Sequence, residues 1–210
     1  MASSTRLRRA PPRARRSHAE RTAETRAKIL GAVVESVAAV GLQRTTAVEI
    51  ARRAGVTWGA VQHHFGGKND LLMAVLEDSF AHFAARLADL PIEGLSLEAR
   101  AARFVERAWE HFASREYAST FEILLDHLRR VRAAGPGWQG RMSRAWDGVW
   151  RRFFGDAPIS RHRHGELQHY TISVLSGLAS TLMLEGRGAR VRGAELDLLR
   201  DTLVRELRAS

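Results

Sequence analysis

"TAVEIARRAGVTWGAVQHHF", Thr46 to Phe65, holds two helical signals separated by a glycine. Thr46 and Glu49 have the spacing of a capping box, in which a threonine hydroxyl and a glutamate carboxylate close reciprocal bonds at a helix start. The helix opened there is predicted to bury Val48, Ile50, Ala51 and Ala54. It stops at Gly55, where a left-handed turn costs glycine little. Val56 plugs the turn, and Thr57 is placed to cap a second short helix whose inward positions are Val61 and Phe65. Gly66 and Gly67 end that helix and Lys68 opens the next. Small Ala51 lets the two helices cross closely. Helix, tight turn and helix within twenty residues meet the physical requirements of a helix-turn-helix.

Outward from this unit, apolar residues recur at helical spacing, and no convincing alternating strand is found. Ile29, Leu30, Val33, Val34 and Val37 trace a stripe that ends near Gly41. Leu71, Leu72, Val75, Leu76, Phe80, Phe83 and Leu87 trace the next. A third runs from Leu97 to Phe112 and a fourth from Tyr117 to Val131. "GPG" at 135–137 breaks the chain before a stripe from Trp138 to Phe153, and a second break falls around Gly155–Pro158. A long helix is predicted from about 160 to 184 and a last one from about 194 to 207. The fold class is all-α.

Composition narrows the setting. The 210 residues include no cysteine, which excludes disulfides and thiolate metal sites and makes a reducing cytoplasm the simplest home. Of the net charge of +10, residues 1–28 hold +7, from nine Arg/Lys and two Glu. A basic arm leading into a folded body is a footprint of a polyanion binder, although a solvated tail carries the same charge. Pro11-Pro12 and the shortage of large apolar residues argue against a transit peptide, so residues 1–17 read as a disordered basic arm. Eighteen uncharged residues separate Glu166 from Glu185, near the lower limit of a membrane span. Gln168, His169, Gly177 and five hydroxyl residues among them favour a buried helix of a soluble protein.

The chain from about Arg26 to Leu76, with "KILGAVVESVAAVGLQRTTAVEIARRAGVTWGAVQHHFGGKNDLL" at its centre, strongly resembles the TetR family of bacterial transcriptional regulators. The resemblance rests on the apolar first helix, Gly41, the threonine-rich start, "IA..AGV", the short helix ending in His-Phe, and the lysine after it. It covers about the first third of the chain. It implies a three-helix DNA-binding domain at 18–68, with helices near 21–40, 46–53 and 57–64. It further implies a helical ligand-binding and dimerisation domain at 69–210, and function as a homodimer.

On that resemblance, Thr57 to His64 enter the major groove, which admits one helix. Gly59 and Ala60 are small so that the helix can approach the bases. Thr57 caps its helix and offers a phosphate contact. His63 and Lys68 match positions that touch phosphate, and Arg44 and Thr46 do likewise on the other flank. Gln62 stands where the family commonly has tyrosine; glutamine bonds bidentately to adenine, which makes Gln62 a candidate base reader. Trp58 departs from a commonly polar position, and two readings stay open: contact with DNA, or packing on its own domain.

Other constellations carry less. His162, His164, Glu166 and His169 have helical spacings that a metal would accept, but a polar start to a long helix accounts for them as well, so no metal or cofactor is assigned. No glycine-rich phosphate loop follows a strand and there is no nucleophile elbow, so the chain is not read as an enzyme. The resemblance implies a small-molecule site between the later helices, with Trp109, Phe112, Phe121, Trp146, Trp150 and Tyr170 as candidate lining and His127 as a polar contact. Those rings suit a largely apolar effector. Small residues on the long helix, Ser173, Ser176, Gly177, Ser180 and Thr181, allow close approach of another helix. Segments 160–186 and 194–208 are therefore expected to pair across a two-fold axis, the alternative being a face hidden within one protomer.

The expected function is a dimeric repressor that binds a palindromic operator in double-stranded DNA and is released by a small molecule, without a membrane. The alternative is a general basic helical DNA-binding protein of architectural type with no effector. An RNA-binding or purely structural helical protein is a third class, disfavoured because single-stranded RNA readers commonly present aromatic platforms on sheets.

Overall fold

A computed structural model describes residues 17–130, 137–185 and 193–208. Among these residues there are nine α-helices and no strand. They are α1 (His18–Val40), α2 (Ala47–Ala54), α3 (Trp58–Phe65), α4 (Lys68–Ala88), α5 (Leu97–Phe112), α6 (Arg115–Arg130), α7 (Gly137–Phe154), α8 (Arg161–Glu185) and α9 (Gly193–Arg208). A single 3-10 turn, Leu42–Arg44, joins α1 to α2. Except for Ser17, the predicted basic arm lies outside the described residues, as do Val131 and the first two residues of "GPG".

Ser17 starts the first helix through a complete capping box: its hydroxyl accepts from the Glu20 amide at 3.1 Å, and its own amide donates to Glu20 Oε2 at 2.7 Å. The box predicted at Thr46 forms only in half. Thr46 Oγ1 accepts from the Glu49 amide at 3.2 Å, but the Glu49 carboxylate turns to the Arg52 guanidinium at 2.9 Å and to Arg53 Nε at 2.5 Å. Two cations one turn onward outcompete a neutral amide, because bonds between charged partners are roughly twice as strong. They hold the Glu49 carboxyl down at about 2.

The buried side chains form two clusters. The first gathers Ile29, Val33 and Val37 of α1, Ile50 of α2, Val61 of α3 and Leu71, Leu72, Val75 and Leu76 of α4. The second gathers Phe83 and Leu87 of α4 with α5, α7, α8 and α9. Its centre is Phe104, whose ring meets the edges of Trp150 at 5.9 Å, Phe153 at 5.2 Å and Phe154 at 5.3 Å. Each such ring contributes roughly 1.5–3 kcal/mol by leaving water. Leu199, Leu203 and Leu207 recur every fourth residue and seal α9 against this core. Arg100 of α5 pins the connection after α7 by donating to both carboxylate oxygens of Asp156, at 2.7 and 2.9 Å.

Helix α4 belongs to both clusters, its first half to one and its second half to the other. The domain boundary expected at 68/69 thus falls at the start of a helix whose first turns still complete the amino-terminal core. Ile123 of α6 also reaches that core, with 1% of its surface exposed.

One predicted core residue is not there. Val48 is 75% exposed. It stands two positions before Ile50, about 200° around the helix at 3.6 residues per turn, so burying Ile50 and Ala51 turns Val48 outward.

Candidate functional site

The turn between α2 and α3 closes as its glycine requires. Gly55 is left-handed at φ 67° and ψ 33°. Its amide donates to Arg52 O at 3.3 Å and the Val56 amide donates to Ala51 O at 3.0 Å, which satisfies the last carbonyls of α2. Thr57 then caps α3, its hydroxyl accepting from the Ala60 amide at 3.2 Å. The inward side of α3 is Val61, 1% exposed, with Phe65 half-buried beside it. Arg26 of α1 fastens the far end by donating from Nη1 to His64 O at 2.8 Å while its guanidinium lies 4.2 Å over the Phe65 ring. That contact adds cation–π attraction.

The outward side is composed of Gly59, Gln62 and His63, all exposed. Trp58 packs its ring against the amino-terminal cluster and stays half-buried. Gly59 is informative because the fold does not require it. Its φ is ordinary, and an added Cβ would meet only Thr57 Oγ1, at 3.8 Å, which is normal contact. Gly59 is the second residue of α3, and within a helix alanine is favoured over glycine by up to about 1 kcal/mol. Among the described residues nothing explains the missing methyl, as is also true of Gly31, Gly148, Gly165 and Gly177.

The predicted cations flank the unit and are held by carbonyls. Lys68 Nζ donates to Thr45 O at 2.6 Å, and Arg44 Nε donates to Val40 O at 2.7 Å. Thr45 itself is buried and shares a 3.1 Å hydrogen bond with Ser36. Arg44, Thr46 and Lys68 are thereby gathered around the start of α2, where the helix dipole already favours an anion.

Among α4, α5, α6, α7 and α8 lies a cavity of about 730 Å³. Phe112, Phe121 and Trp146 of the predicted lining border it. The other four do not. Trp150 is 2% exposed within the second core, its indole donating to His164 Nδ1 at 3.2 Å, and Trp109 packs against the same core. Tyr170 is 39% exposed, and His127 stands elsewhere on α6. Sequence reasoning missed Phe80, Phe83, His111, Tyr117, Asp147, Gln168 and His169, which are among the other residues of the wall. Phe83 stacks on His111 at 4.4 Å and on Trp146 at 5.4 Å. Burial pushes His111 down to about 4, so its imidazole is neutral. Its Nδ1 and the indole nitrogen of Trp146 are buried without a hydrogen-bond partner among the described residues.

The small-residue stripe of α8 divides. Ser173, Gly177 and Thr181 are exposed together with Tyr170 and Leu184. Ser176 and Ser180 turn inward, and Ser176 Oγ accepts from the Tyr117 hydroxyl at 3.3 Å. His162 pairs with Glu166 at 3.3 Å on the surface. Among the described residues no three His, Cys, Asp or Glu side chains converge as a metal site, and no helix is long and apolar enough to cross a membrane.

The geometry of α2, turn and α3 defines a helix-turn-helix domain. Residues 29–75 match the family described as bacterial regulatory proteins, tetR family. Over 63 residues it is 49% identical to the HTH-type transcriptional regulator SrpR of Pseudomonas putida, covering 30% of this chain and 29% of the relative. Over 85 residues it is 38% identical to the HTH-type transcriptional regulator BetI of Cronobacter sakazakii, covering 39% of this chain and 41% of that one. The chain thus matches less than half the length of these curated relatives. They are regulators, not enzymes.

Solved structures extend the likeness of fold to most of the chain. The fatty acid degradation regulator FadR from Bacillus halodurans superposes with a TM-score of 0.66 at 14% identity, over 89% of this chain and 95% of that one. The multidrug binding protein EbrR complexed with imidazole gives 0.62 at 20% identity, over 88% and 96%.

Proposed function

We propose that this protein is a cytoplasmic, ligand-responsive transcriptional regulator that binds a palindromic operator as a homodimer and represses until an effector enters the cavity. The observation that carries the DNA-binding part is the outer face of α3. It offers Gln62 and His63 beside a glycine that no contact among the described residues requires. A backbone kept bare is what close approach to base edges demands. Arg44, Thr46, Thr57, His63 and Lys68 then hold phosphates and fix the register, while Gln62 reads a base. Trp58 supports α3 from below. Ala60 keeps the rest of the approach small.

The dimer reading rests on the exposed face of α8, where Ser173, Gly177 and Thr181 leave room for a partner helix between Tyr170 and Leu184. The effector reading rests on the cavity and on α4. Phe80 and Phe83 form part of the cavity wall, and Leu71 to Leu76 of the same helix form part of the DNA-binding core. A ligand that favours one position of α4 resets the spacing of the two heads, provided it binds the two shapes unequally. A small molecule in this fold has a precedent in EbrR, solved with imidazole and with ethidium.

Selection of bound duplexes from a random pool at near-physiological salt tests this function. An enriched inverted repeat is expected. Binding without enrichment that collapses as salt rises is the result for the architectural alternative.

A further inference from the structure

Resting on the reading of the cavity as the effector site, we propose that its ligand is an organic cation: a flat aromatic body with one positive charge and a hydrogen-bond acceptor. Three observations converge on that chemistry. First, Asp147 is the one formally charged side chain of the described lining, with no lysine or arginine on the wall. Its Oδ1 accepts from Gln168 Nε2 at 2.9 Å, which orients the carboxylate. An anion placed here would meet a carboxylate with no counter-charge, and a neutral apolar body would strip water from Asp147 without replacing it.

Second, six aromatic rings border the same space: Phe80, Phe83, Phe112, Tyr117, Phe121 and Trp146, of which Phe83 already has its faces covered by His111 and Trp146. The faces of such rings are negative and attract a cation, most strongly where water is excluded. Of the two histidines on the wall, His111 and His169, His111 adds no opposing charge, because its burial keeps it neutral.

Third, the wall holds polar atoms that the protein leaves unsatisfied. Trp146 is 4% and His111 7% exposed, yet Trp146 Nε1 and His111 Nδ1 have no partner among the described residues. A buried indole N–H without a partner is costly, and a ligand oxygen or ring nitrogen relieves it. Charge, ring faces and orphaned donor together describe a cationic heteroaromatic.

The test uses three probes of nearly one shape, each with an oxygen acceptor at C9: 10-methylacridinium-9-carboxamide as the cation, its neutral parent acridine-9-carboxamide (hereafter acridine), and acridine-9-carboxylate. Each is titrated calorimetrically into the full chain at pH 8. The cation is expected to bind at least about tenfold more tightly than acridine, and the carboxylate more weakly than both. In Asp147→Asn the preference for the cation disappears while acridine affinity is retained, which also certifies an intact pocket. Asp147→Ser, run beside it, gives the same loss. If acridine or the carboxylate binds as well as the cation, or if both variants keep the preference, the cation assignment is wrong while the cavity stands as a ligand site. If none of the three binds, the effector reading of the cavity fails and the cation assignment with it.

Discussion

Glu122 Oε1 accepts a hydrogen bond from the Leu42 amide at 2.9 Å, across 80 residues of chain. The contact joins α6 to the turn that leads into α2. Ser119 Oγ, on the same side of α6, donates to Val34 O at 3.3 Å, and Ile123 enters the amino-terminal core. The opposite side of α6 gives Tyr117, Phe121 and Leu124 to the cavity. One helix therefore touches both the cavity and the seat of the helix-turn-helix. Glu122→Ala is expected to cost about 1–3 kcal/mol of stability by orphaning the Leu42 amide. It is also expected to reduce the change in operator affinity that a cavity ligand produces. Operator Kd with and without ligand, in wild type and variant, measures the second effect; an undiminished ratio assigns the coupling to α4 alone.

His111 makes stability depend on pH with a fixed sign. Its folded value, about 4, lies below its ordinary 6.5. Between those values the unfolded chain binds the proton and the folded chain does not. The stabilisation is fully present above about pH 6.5 and is lost progressively as pH falls toward 4, at a cost on the order of 3 kcal/mol. His111→Phe removes that titration, so its urea midpoint should fall less steeply over the same interval. Parallel curves for the two proteins would show that His111 does not carry the proton linkage.

Two glycines of the DNA-binding unit should respond oppositely to alanine. Gly66 has φ 83° and ψ −111°, and an added Cβ would stand 3.1 Å from Asp70 Oδ2. Gly66→Ala is expected to destabilise by about 1–3 kcal/mol. Gly59→Ala, with ordinary φ and open space, is expected to stabilise by up to about 1 kcal/mol. Chemical denaturation separates them, and a loss of stability at Gly59 would mean that the glycine serves the fold after all.

Helix order and the turn at Gly55 were legible because each rests on neighbours in sequence: apolar spacing, a cap, a glycine. What failed needed knowledge of a second element. Val48 has a core residue's chemistry but the wrong angle from Ile50. Trp146 and Trp150 are one turn apart with identical chemistry, and only packing against α4 and α8 decides that one borders the cavity and the other fills the core. His111 and Asp147 escaped notice because a lone polar residue on an amphipathic helix gives no sign of the hollow it faces. Glu49 was misread as a cap because Arg52 and Arg53 compete for it through side-chain reach, which helical spacing alone does not weigh.

The exposed stripe of α8 gives a test of assembly. An added Cβ at Gly177 meets nothing within 4 Å, so Gly177→Arg leaves the protomer folded. Placed in the proposed interface, the same arginine holds the partner helix away and adds two like charges across the two-fold axis. Sedimentation should show a dimer for wild type and a monomer for the variant, with helical circular dichroism unchanged. A variant that remains dimeric places the interface elsewhere.

The outer face that α3 is proposed to keep bare for DNA is filled most simply by Gly59→Leu. Leucine is a good helix former and points into solvent here, so the melting temperature should be kept. Titration of an operator duplex recovered by selection should show affinity weakened by about a hundredfold or more, since the side chain holds the helix off the base edges at a cost of a few kcal/mol. A variant that is folded and binds the operator as tightly as wild type contradicts the account, because α3 would then not be the element that approaches the bases.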